Sequence, residues 1–131
     1  MGTARSEPGK SGVKSYRDLV AWQKGMDLAS LVYRATTRFP SEERFGLVAQ
    51  MRRAAVSVPA NVAEGFGRGG RADFRRFVLM ARGSLFELQT HGELARRLGW
   101  LKGKTLTLLR QDSQELDAIL TGLIRALGKT E

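Results

Sequence analysis

The chain reads as all-α: an antiparallel up-down four-helix bundle over residues 16–128, behind a disordered basic tail of residues 1–15. Three observations predict it. Apolar residues recur at spacings of three and four in four separate stretches, the period of a helix with one buried face. Glycine and proline gather between those stretches, where connections belong. No stretch alternates apolar and polar residues with period two, so no strand is expected. Amphipathic helices joined by short connections bury their faces best as a bundle.

Residues 1–15 are rich in Gly, Ser, Lys and Pro and lack periodicity, which predicts a mobile tail whose Lys10 and Lys14 can touch a polyanion. The first helix is expected from a cap at Asp18 to about Phe39. Its buried face is Trp22, Met26, Ala29, Tyr33 and Thr36, widened by Ala21, Leu28 and Val32, while Gln23, Lys24, Asp27, Arg34 and Arg38 face solvent. Ser41 before Glu42 and Glu43 predicts the start of a second helix covering Glu42 to Glu64. Leu47, Met51, Ala54, Ala55, Val58 and Val62 form its buried face, and Pro59, inside that pattern, removes one amide and is expected to bend the helix. Arg53, Ser57, Asn61 and Glu64 step by four, four and three along the flank of this face. A polar seam so close to a core must be hydrogen-bonded, so these residues are read as structural. Gly65 is expected to end the helix as a left-handed cap.

The third helix is expected from about Arg71 to Leu98, with the seam Phe74, Phe77, Ala81, Ser84, Leu88, His91, Ala95 and Leu98. Gly99 closes it, Trp100 and Leu101 turn back onto the core, and a fourth helix begins near Lys104. That helix carries Leu106, Leu109, Ser113, Leu116, Leu120, Leu123 and Leu127 on one face. Leu79 and Phe86 project away from the third helix's own seam, with Gly83 beside them. Such a strip predicts a contact with another subunit.

At 131 residues the chain makes one domain with room for a core. Its 42% apolar and 27% charged residues fit a folded soluble domain. Cysteine is absent, which excludes disulfides and thiolate metal sites and suits a reducing compartment. No apolar run reaches the roughly 18–20 residues needed to span a bilayer, and the first residues are too polar for a secretory signal, so a cytoplasmic protein without a membrane partner is expected. The opening Met1-Gly2-Thr3-Ala4-Arg5-Ser6 matches an N-myristoylation pattern, but one short enough to arise often by chance. Charge is the unusual property: 22 Lys+Arg against 13 Asp+Glu give a net +9 and a pI near 10.8, which makes polyanions the default partners. The alternative is a charge that serves solubility alone.

Catalytic patterns are weak. Gly65-Phe66-Gly67-Arg68-Gly69-Gly70 spells G-x-G-x-x-G, yet a dinucleotide fingerprint needs a strand before it, and here a helix precedes it. His91 is the single histidine, so no pair of imidazoles can hold a metal, and Ser84, Glu87 and His91 fit a packed seam better than a relay. No enzyme activity, catalytic residue, metal, cofactor or small-molecule substrate is expected. The arginines point elsewhere. Arg68, Arg71, Arg75, Arg76 and Arg82 lie in a short span with one acid, Asp73, and Arg71, Arg75 and Arg82 share a helix face that can follow a phosphate backbone. Aromatic RNA motifs are absent, so contacts to backbone and shape are expected rather than base reading.

The runs SYRDLVAWQKGMDLA from Ser15, FPSEERFGLVAQMRRAAVSVPANVAEGFGR from Phe39 and FRRFVLMARGSLFELQTHGELARRLGW from Phe74 resemble the bacterial four-helix bundle family. That family includes proteins encoded in intervening sequences of large-subunit ribosomal RNA genes. The resemblance covers residues 16 to 127 and rests above all on SVPANVAEG and on Gly83 to Leu88. Members form ring-like homopentamers, and a distant relative is the accessory protein of diversity-generating retroelements, which partners a reverse transcriptase and binds nucleic acid. The resemblance therefore implies a non-catalytic, basic homo-oligomer that binds RNA or DNA. The alternative is an interaction scaffold that docks an acidic protein such as a reverse transcriptase.

Overall fold

The structure is a computed structural model and describes residues 12–129. Most of the expected tail lies outside the described residues, but its last part belongs to the bundle. Val13 and Tyr16 pack on the core, and Ser15 caps a 3-10 turn over Tyr16–Asp18. Asp18 completes that capping box: its carboxylate accepts the backbone N–H groups of Lys14 and Ser15, at 2.8 and 3.2 Å. Asp18 thus caps the turn, and helix α1 runs Val20–Thr36.

The other helices are α2, Leu47–Gly67, α3, Arg71–Arg97, and α4, Gly103–Gly128. Each packs against its neighbours in the chain, and α1 against α4 closes the four-helix bundle. The seams of α2 and α4 are buried as their spacing predicts, Leu47, Met51, Ala54, Ala55, Val58 and Val62 on one and Leu109, Ser113, Leu116, Leu120, Leu123 and Leu127 on the other, except that Leu106 is only half-buried. Helix α3 buries more than its predicted seam. Val78, Leu85 and Gly92 are also buried, so α3 serves two interfaces, whereas Leu98 at its end is exposed.

Two boundaries and one face differ from the sequence reading, each for a local reason. Helix α2 does not start at Glu42; Ser41–Glu43 form a separate 3-10 turn. Gly46 interrupts the helical path, and the carboxylate of Glu43, not Ser41, accepts the Leu47 N–H at 2.9 Å. At its other end α2 continues through Gly65 to Gly67. Gly65 is kept for close approach: a Cβ there would lie 2.5 Å from the Cβ of Phe77. The left-handed turn falls instead on Gly69, at φ 89°. On α1 the buried face centres on Ala21, Gly25, Leu28 and Val32, and this leaves Met26 and Tyr33 exposed. Small residues mark that face, which a search for large apolar residues misplaces. Pro59 lies buried within α2, packed beside Gly25.

Candidate nucleic-acid interface

The five arginines that the sequence singles out are all engaged within the molecule. Helix α4 ends with carbonyls that have no partner in their own helix. Arg71 Nη2 donates to the carbonyl of Ala126 at 2.6 Å and to that of Lys129 at 3.5 Å, and Arg75 Nε donates to the carbonyl of Ile124 at 3.1 Å. Two cations at a helix C-terminus also oppose its dipole. Arg82 Nε bonds Asp117 at 2.8 Å while its guanidinium lies over Phe86. The predicted face of Arg71, Arg75 and Arg82 therefore turns toward α4 and fastens it. Arg68 pairs with Glu64 at 3.3 Å and Arg76 with Asp73 at 3.5 Å, and both guanidinium groups stack on Phe77. Arg68, Arg71 and Arg76 remain exposed, while Arg75 and Arg82 are half-buried.

The polar seam divides in the same way. Asn61 Nδ2 donates to the carbonyl and hydroxyl of Ser57, each at 2.9 Å, and the Ser57 and Ser84 hydroxyls share a bond of 2.9 Å across α2 and α3. Arg53 and Glu64 lie on the exposed flank, Arg53 with Gln50 and Glu64 with Arg68. Sequence spacing places all four on one side of α2, yet half of that side faces water. Ser84 is thus bonded to Ser57, and His91 Nε2 lies 3.9 Å from Glu87, with its Nδ1 buried and unpartnered. The Gly65–Gly70 segment is a helix end and a turn, and no strand occurs among the described residues.

A stronger surface appears when charge is summed by bundle end rather than by helix. The connection between α1 and α2 and the one between α3 and α4 meet where Phe39 packs on Trp100, with ring centroids 5.9 Å apart. Residues 34–53 and 90–110, which make this end, hold ten Lys and Arg against three acids, a net +7 of the chain's +9. The remaining described residues hold ten against eight, a net +2.

Two of the three acids of the Trp100 end, Glu93 and Glu43, are occupied. Arg96 holds Glu93 through Nε and Nη2 at 3.0 and 2.9 Å, Arg97 Nε reaches it at 3.0 Å, and Arg110 stands 3.7 Å away. These bonds, Arg96 first and Arg97 next, hold the Glu93 carboxyl at about 2, well below its ordinary range, and raise Arg96 in return. The carboxylate of Glu43 is taken by the Leu47 N–H. Among the described residues, Arg34, Arg38, Arg44, Lys102 and Lys104 make no ion pair at all. Arg52 and Arg53 also make no ion pair but are hydrogen-bonded: Arg52 turns inward, donating to Thr36 Oγ1 at 2.9 Å and to the Tyr33 carbonyl at 3.2 Å, and Arg53 donates to Gln50 Oε1. An up-down order of helices already brings both connections to one end, so this polarity was within reach of the sequence.

The residues expected to contact another subunit stand on the outer side of α3. Leu79 is 43% and Phe86 42% exposed, Met80 and Leu94 extend the strip, and nothing crowds the position of Gly83.

Fold and surface together define a basic helical-bundle protein with its charge gathered at one end. The chain belongs to the family of 23S rRNA-intervening sequence proteins, whose model matches residues 17–122. A solved structure of a protein of unknown function from the S23 ribosomal protein family of Bacteroides thetaiotaomicron superposes with a TM-score of 0.72 at 23% identity. The match covers 81% of this chain and 99% of that one, a likeness of fold. No curated protein matches the chain. Among the described residues no helix is long and apolar enough to cross a membrane.

Proposed function

We propose that this protein is a non-catalytic, oligomeric bundle that holds nucleic acid against its Trp100 end, mainly through contacts to the backbone. The observation that carries this reading is the net +7 of residues 34–53 and 90–110, with five cations there, Arg34, Arg38, Arg44, Lys102 and Lys104, that make neither an ion pair nor a side-chain hydrogen bond among the described residues. Cations without intramolecular partners bind phosphate with no bond to break first, and each phosphate neutralised releases condensed counterions. Arg68 and Arg76, exposed at the opposite end, are secondary contacts; Arg71, Arg75 and Arg82 hold α4. The half-exposed strip of Leu79, Gly83 and Phe86 supports the oligomer. The family description makes 23S ribosomal RNA the first ligand to try.

Salt dependence tests the reading. Log affinity for structured RNA should fall linearly with log salt, and Lys102→Ala with Lys104→Ala should reduce that slope by about 2, close to one per lost phosphate contact. If neither structured RNA nor duplex DNA binds below the micromolar range at low salt, the reading is overturned. Copurification of an acidic protein would then favour a docking scaffold.

A further inference from the structure

Phe45 is 86% exposed, against 49% for Leu98, the next most exposed large apolar residue among those described. It does not hang on a loose loop. Arg44 N–H donates to Ser41, Glu43 N–H to Pro40 and Gly46 N–H to Glu43, at 3.2, 2.9 and 3.0 Å, while Glu43 also accepts the Leu47 N–H. Gly46 belongs to the same fastening, because a Cβ there would meet the Glu43 carboxylate at 2.7 Å. A bonded turn therefore holds an aromatic ring out into water, where burial offers it nothing in the single chain.

Its surroundings say what the ring fits. The Arg44 guanidinium covers it at 5.1 Å from the centroid. The turn lies at the bundle end that carries the net +7, the end to which Arg38, Lys102 and Lys104 also belong. A second copy of this chain would bring the same positive end, and like charges oppose that contact. A planar π face tied to an anionic backbone answers both features, since stacking needs a flat apolar ring and its phosphates need cations. We propose that Phe45 and Arg44 form a stacking platform for an unpaired nucleotide, its base on the ring and its phosphates on the neighbouring cations. The inference rests on the nucleic-acid reading above and narrows it, from duplex backbone to nucleic acid with unpaired bases.

The test compares a labelled RNA hairpin with an open loop and the same stem closed as a blunt duplex, by fluorescence anisotropy. Phe45→Ala should weaken hairpin binding about tenfold or more and leave duplex binding unchanged, and Phe45→Tyr should restore the hairpin affinity. Because the ring touches little of its own fold, circular dichroism and sedimentation of Phe45→Ala should match the parent. Equal loss on both probes, no loss on either, or an altered sedimentation coefficient would each overturn the platform, the last by assigning the ring to a contact between copies. A parent protein that binds neither probe overturns the nucleic-acid reading along with it.

Discussion

At the scale of single residues, close approach and charge pairing set the constraints. Gly65 lets α3 lie against α2 with Phe77 in van der Waals contact. Gly65→Ala must push the two helices apart, and it should lower the stability of the fold by about 1–3 kcal/mol, read as a lower urea midpoint with unchanged slope. An unaltered midpoint would show that the interface yields freely. Sequence spacing located this glycine but read it as a cap, because its constraint comes from a side chain on another helix. Glu93 gives the matching electrostatic case. Its carboxyl is held at about 2, below the ordinary value of 4.5, so its contribution to stability is complete above that ordinary value and is lost as pH falls through about 2. Carboxyl titration by nuclear magnetic resonance should find one group protonating near pH 2, absent in Glu93→Gln; a normal titration would mean that the Arg96 and Arg97 bonds do not persist in water.

Among elements, α4 is held by more than its leucines. Arg71 and Arg75 bond the carbonyls of its last turns, and Arg82 ties its middle to α3 through Asp117. Arg75→Ala should cost about 1–2 kcal/mol and speed amide hydrogen exchange over the last turns of α4 first. Its RNA affinity should stay that of the parent, whereas a phosphate-binding arginine would show the reverse. The helices themselves were legible in sequence, since a face buried along its whole length leaves a regular mark at spacings of three and four. The partners of the arginines were not. The carbonyls that Arg71 and Arg75 reach are 55 and 49 residues away along the chain, and backbone groups carry no sequence signature.

For the whole molecule, the proposed function couples assembly to charge. Phe86→Asp should give folded monomers, by sedimentation and circular dichroism, that bind RNA much more weakly although every cation is intact, because copies of one basic end raise the effective concentration for a single polyanion. Monomers with the parent affinity would remove avidity from the account. The concentration of +7 at the Trp100 end has one more consequence, and it concerns time rather than affinity. A body charged at one end experiences a torque in the field of a polyanion before the two touch, so it arrives already turned. Productive encounters then outnumber random collisions. The association rate should fall steeply as ionic strength rises and the Debye length shrinks from about 30 Å at 0.01 M to about 8 Å at 0.15 M, while the dissociation rate changes far less.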